Sequence, residues 1–170
     1  MNTAYVYLQL YRLFDRCTPI PADCGLLCDK ACCKGDDSGM YLFPGEKSVY
    51  SLLGEKWVKL EKSDFYYDYN GKRYNVPLAV CSGECDRFVR PLACRIFPLT
   101  PVLSEGKIEI ITDPRARAVC PLSRGYYIDD YNTDFLKNIR RCFSLLGQNP
   151  QFMAFLKPDS EIIRDYERFF

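Results

Sequence analysis

Residues 24–33 read CGLLCDKACC, four cysteines in ten positions with two adjacent, in a chain that contains no histidine. This stretch constrains the fold more than any other. It and the loop at 81–95 have too few apolar residues to order themselves by burial, so something must tie the thiols together. Ten cysteines occur in 170 residues. A chain of this length fits one domain, 1–170, and can bury a sizeable core without covalent staples. The N-terminus MNTAYVYLQLYRLFDRC lacks a basic leader and a small-residue cleavage site, and Arg12 and Asp15 interrupt its apolar run. It reads as a mature helix with Tyr5, Leu8, Tyr11 and Leu13 near one face. No segment reaches the ~18 apolar residues of a membrane span. The expected compartment is therefore the cytoplasm, where disulfides are rare and dense cysteines point to metal, cluster or redox chemistry.

The cysteines sort by context. Cys142 lies on the apolar face of a helical pattern over TDFLKNIRRCFSLLG and Cys17 stands alone at the end of the first helix, so both read as small buried hydrophobes. Eight remain: Cys24, Cys28, Cys32, Cys33, Cys81, Cys85, Cys94 and Cys120. Cys24, Cys28 and Cys32 are spaced i, i+4, i+8, and a helix there would line three sulfurs on one face. Cys81 and Cys85 repeat the spacing. Cys94 and Cys120 flank a predicted hairpin that would return them to the same place. Adjacent Cys32 and Cys33 diverge on a helix or a strand. Two sites share this corner, or only one of the pair is a ligand, or the two form a vicinal disulfide.

CGLLCDKACC, then CSGECDRFVRPLACRIFP, then a final CPL, resembles the zinc- or iron-chelating proteins named for a CxxCxxCC motif and described by eight cysteines. The resemblance covers roughly residues 24–122, and RPLACRIFP is its most specific part. The front departs from the family name, with gaps of three residues instead of two. CGLLCDKACCKG also resembles, more distantly, the cysteine segment of flagellin lysine-N-methylases. These likenesses imply a metal-chelating role and, from the second, a methyl-transfer enzyme or accessory.

The missing histidine excludes every zinc site with a His ligand and the iron site of two histidines and a carboxylate. Soft thiolates select zinc, copper(I) or iron–sulfur clusters. Eight suit two tetrahedral zinc sites, or one cluster plus structural thiols. The absence of C-x2-C steps favours zinc over the usual ferredoxin pattern and weighs against a thioredoxin-like site. We expect one or two zinc ions in a mainly structural role, with iron or an iron–sulfur electron carrier as the alternative. Eight thiolates outweigh two divalent ions in charge, so cationic neighbours are expected. Arg90 and Arg95 would donate to the sulfurs, with Arg115 and Arg117 nearby. Asp23, Asp29, Asp36, Asp37, Glu46 and Glu84 are the nearby carboxylates, and Glu46 reads as opening a helix. Ser-His-Asp, Cys-His and nucleotide-binding fingerprints are missing, which leaves catalysis open. A formal net charge of +1 gives no sign of a nucleic-acid or membrane surface, so the expected partner is the metal ion itself.

The layout reads as α+β, with terminal helices around a small two-hairpin, cysteine-rich metal-binding centre. That core runs over approximately 17–122 and the C-terminal helical part over approximately 130–170. Hairpins are predicted at Asn70-Gly71 and Glu105-Gly106. A short helix is predicted over 43–54 with Gly54 as its stop. In TDFLKNIRRCFSLLG, Phe135, Ile139, Cys142, Phe143 and Leu146 share a face. Asn149-Pro150 then opens another helix, and KPDSEIIRDYERFF supplies a last one.

Overall fold

The computed structural model describes residues 3–34, 39–54, 56–81 and 85–168. It is α+β. Helix α1 (Thr3–Arg12) is followed by strand β1 (Gly39–Tyr41), helix α2 (Lys47–Leu53) and the hairpin β2 (Val58–Tyr69) and β3 (Lys72–Cys81). Helix α3 (Leu92–Ile96) leads into the second hairpin, β4 (Leu99–Ser104) and β5 (Lys107–Thr112). The short α4 (Leu122–Gly125) and the long α5 (Thr133–Leu146) and α6 (Pro150–Arg168) complete the order. The first sheet runs β1-β3-β2 and the second is the β4-β5 pair, all antiparallel.

Both hairpins turn where the sequence requires. Asn70 and Gly71 take φ of 49° and 70°, and Glu105 and Gly106 take 49° and 78°. Positive φ at both central residues is the turn whose twist matches the flanking strands. Gly54 caps α2 in the left-handed conformation, its N–H reaching the Tyr50 carbonyl. Asn149 caps α6 by accepting from the Gln151 N–H at 2.9 Å.

Four expectations need correction. The buried face of α1 is Ala4, Tyr7, Leu10 and Tyr11, while Tyr5 is exposed. The tyrosines go inward because each hydroxyl has a partner: Tyr7 donates to the Pro44 carbonyl at 3.0 Å and Tyr11 to Glu46 at 2.6 Å. Segment 24–33 is not one helix. Two 3₁₀ turns, Cys24–Leu27 and Ala31–Cys33, are separated by Asp29 and Lys30 at φ of 48° and 56°. Two left-handed residues break any i, i+4, i+8 sulfur row. The short strand β1 was not expected. Finally, α6 runs through Pro158 as a single helix. Its buried stripe of Phe152, Phe155, Leu156 and Ile163 continues past the proline, and packing outweighs the lost backbone bond.

The core is aromatic. Phe43 meets the rings of Phe143, Phe152 and Phe155 with centroids 5.6, 5.6 and 5.8 Å away. Phe65 and Tyr67 of β2 pack on Phe155 from the sheet side. Glu46, wholly buried, joins three elements next to this core. Its carboxylate accepts from Tyr11 Oη on α1, from the Phe43 N–H at 3.0 Å and from the Leu92 N–H of α3 at 2.7 Å. That knot fixes α3, and with it Cys94. Among the described residues no helix is long and apolar enough to cross a membrane.

Candidate metal centre

Cys94 sits in α3 between the buried side chains of Leu92 and Ile96. Cys81 ends β3, in register with Val58 of β2. Cys85 follows the 82–84 connection, and Cys32 and Cys33 close the second 3₁₀ turn. These five cysteines, from three separate segments, line one cavity of about 50 Å³ together with Arg90 and Trp57. The Sγ atoms of Cys32 and Cys33 are 3.8 Å apart, so the adjacent side chains do not diverge as regular structure would demand. Arg90 Nε donates to Cys85 Sγ at 3.0 Å.

Of the other candidate ligands, Cys24, Cys28 and Cys120 do not line this cavity. Cys24 lines a second cavity, of about 60 Å³, with Cys94, Cys17 and the arginines 87, 90 and 95. Burial raises the Cys24 thiol pKa, and the neighbouring Cys120, Asp23 and Cys28 raise it further. Cys120 is buried just before α4, where the Leu122 and Ser123 N–H groups favour its thiolate against the larger effect of burial. Cys28 Sγ points at the Cys24 carbonyl, 3.9 Å away. Electrostatically seven of the eight divide into Cys33, Cys85 and Cys94 around Arg90, and Cys24, Cys28 and Cys120 around one another, with Cys32 beside Cys33, Cys28 and Cys24. Among the described residues no group of three or more Cys, Asp or Glu side chains stands ready to hold a metal ion as it is.

The Cys32–Cys33 pair shares a proton through its mutual hydrogen bond. That bond brings the Cys33 thiol down to about 6 and holds Cys32 far above the ordinary thiol range. Burial pushes Cys94 up strongly, with Arg90 pulling the other way. Arg90 is a half-buried cation whose charge is favoured by Cys85, Cys33 and Cys94 against the cost of burial.

Arg95 does not take the role expected of it as a donor to sulfur. Its Nε donates to the Arg90 carbonyl at 2.8 Å, Nη2 to the Arg87 carbonyl at 2.7 Å and Nη1 to the Tyr11 carbonyl at 3.1 Å. Nη1 also lies 3.4 Å from Asp15, and the guanidinium stacks on the Tyr11 ring. A buried guanidinium needs planar acceptors, and the turn at 87–90 supplies two carbonyls at the right spacing. Arg95 therefore shapes the loop that carries Arg90. Arg115 is engaged by Asp113, with Nη2 to Oδ2 at 2.7 Å, and Arg117 is exposed.

Asp23 caps the first 3₁₀ turn by accepting from the Gly25 N–H, and Asp29 pairs with Lys34. Asp36, Asp37 and Glu84 lie outside the described residues. Cys142 is fully buried on α5, away from the cavities. Cys17, read as a buried hydrophobe, is half-exposed and lines the cavity shared by Cys24 and Cys94. Sequence reasoning missed Trp57, which lines the cysteine cavity. Its only signal is its place one residue before the β2 residue that pairs with Cys81, and that pairing is not legible without the register.

Compared with protein-family models, with curated proteins and with solved structures, the chain matches none.

Proposed function

We propose that this protein is a cysteine-only metal-binding domain, and that its thiolates close on zinc, one or two ions, to hold the middle of the chain together. The observation that carries the reading is the cavity of about 50 Å³ walled by five cysteines from three segments, beside a cation that already donates to one of the sulfurs. Four thiolates at Zn–S bonds of ~2.3 Å need S···S separations near ~3.8 Å, the separation that Cys32 and Cys33 already have. The electrostatic grouping supports Cys33, Cys85 and Cys94 at one ion and Cys24, Cys28, Cys32 and Cys120 at the other, and the shared cavity adds Cys81 to the first. On this reading the vicinal pair is a joint between two sites, which answers why two cysteines stand side by side. Thiolates held reduced for metal suit the cytoplasm.

Arg90 Nε on Cys85 Sγ equally suits an iron–sulfur cluster, whose sulfurs accept hydrogen bonds that tune its potential. Absorption of protein purified without oxygen separates the two. A colourless solution containing zinc supports the first reading. A brown one absorbing near ~400 nm replaces it with the second.

A further inference from the structure

We propose that the Trp57 indole N–H is a hydrogen-bond donor to a cysteine sulfur of the loaded cavity, making Trp57 a positioning residue of the metal site. This rests on the metal-binding reading above. Trp57 lines the cavity of Cys32, Cys33, Cys81, Cys85 and Cys94. Its Nε1 is buried and finds no hydrogen-bond partner among the described residues. Buried donors without acceptors are rare in folded proteins, and each asks for an explanation.

The ring is not placed loosely. Tyr50 meets it edge to face, with centroids 6.2 Å apart and an interplanar angle of 80°. The Tyr50 hydroxyl donates in turn to the Val89 carbonyl at 3.0 Å, one residue before Arg90. The same loop thus carries Arg90 and steadies Trp57, two residues that line the cavity. The sulfurs on the wall complete the argument. A neutral thiol is a weak acceptor, whereas a thiolate accepts a charge-assisted bond. Metal loading deprotonates the ligands, so it creates the acceptor that the indole lacks. Donors around the ligand atoms orient them and raise metal retention.

Trp57 is the only tryptophan in the chain, so one indole N–H signal reports on it alone. The test uses the full chain, labelled with nitrogen-15, reduced, and titrated without oxygen with cadmium ion as a thiolate-seeking probe. Cadmium–thiolate absorption measures binding and the indole signal measures the bond. The expected result is that hydrogen exchange of the indole slows at least about 10-fold on loading, and that Trp57→Phe weakens cadmium retention by roughly 10-fold. Binding of cadmium with unchanged indole exchange overturns the role of Trp57 and leaves the metal reading intact. Failure of cadmium to bind removes the metal reading, and this inference with it.

Discussion

Phe143 and Leu26 are both large apolar side chains, yet one is 1% exposed and the other 81%. Phe143 belongs to the region where α5 and α6 meet the first sheet, and it packs there against the rings of Phe43 and Phe152. Leu26 belongs to the corner of residues 24–33, where Leu27 is also exposed and Phe88 stands out from the facing loop. The first region is ordered by the burial of its own side chains. In the second, two short 3₁₀ turns and left-handed residues leave Cys24, Cys28 and Cys33 half-buried, Cys32 exposed and both leucines outward. Burial does little to order a segment arranged that way, and the proposed metal would supply what burial does not. The Glu46 and Arg95 networks mark the border, since they anchor α3 to α1 and α2 without help from any sulfur.

The largest effect should come from breaking the cysteine half. Structural zinc in small peptides contributes on the order of 10 kcal/mol at neutral pH. Stripping the metal with a strong chelator, or making Cys94→Ser, should lower the melting temperature. Amide exchange should accelerate first at residues 20–34 and 85–97, with α5 and α6 protected longest. Uniform loss of protection across the chain would erase the distinction between the halves.

A smaller effect is expected from the other half. Phe155→Ala removes a ring that touches Phe43, Phe65, Tyr67 and Phe152, and should cost about 3–5 kcal/mol in urea unfolding. Metal bound per folded chain should not change. A parallel loss of metal would mean that the two regions form one cooperative unit.

The smallest effect sharpens the comparison through charge. Asp159 of α6 is buried among the apolar elements, and burial raises its carboxyl from 3.8 to about 6, with Arg115 opposing. Because the folded value is the higher one, its contribution is fully present below pH 3.8 and is lost as pH rises through about 6. Asp159→Asn should therefore stabilise the protein by roughly 1–3 kcal/mol at pH 7, and by almost nothing near pH 4. Equal urea midpoints for the two proteins at pH 7 would show that Arg115 already offsets the cost of burial.

What was legible in the sequence follows the same division. Period and turn chemistry are local, so both hairpins, Gly54, the Asn149 cap and the face of α5 could be read directly. The helix through Pro158 could not, because its continuation depends on a stripe packing against other elements. On α1 the expected face held Tyr11 but took Tyr5 in place of Tyr7, whose acceptor is the Pro44 carbonyl, invisible to periodicity. Spacing and context proposed eight of the thiols as ligands. Their grouping was not legible, since the i, i+4 pattern suggests a helix and the left-handed residues at 29 and 30 forbid one. Arg90 and Arg95 were both expected to donate to sulfur; Arg90 does so to Cys85, while the Arg95 guanidinium turns toward carbonyls 87 and 90.

The central claim is that eight of the ten cysteines hold metal. The most direct measurement is elemental analysis of protein prepared without oxygen, paired with a thiol titration of the native and unfolded chain. The account predicts about two zinc ions per chain, four thiolates to each. It also predicts that most thiols resist the reagent until the chain is unfolded with a chelator present, after which all ten react. A metal-free protein whose exposed and half-exposed thiols react at once in the native state would contradict it.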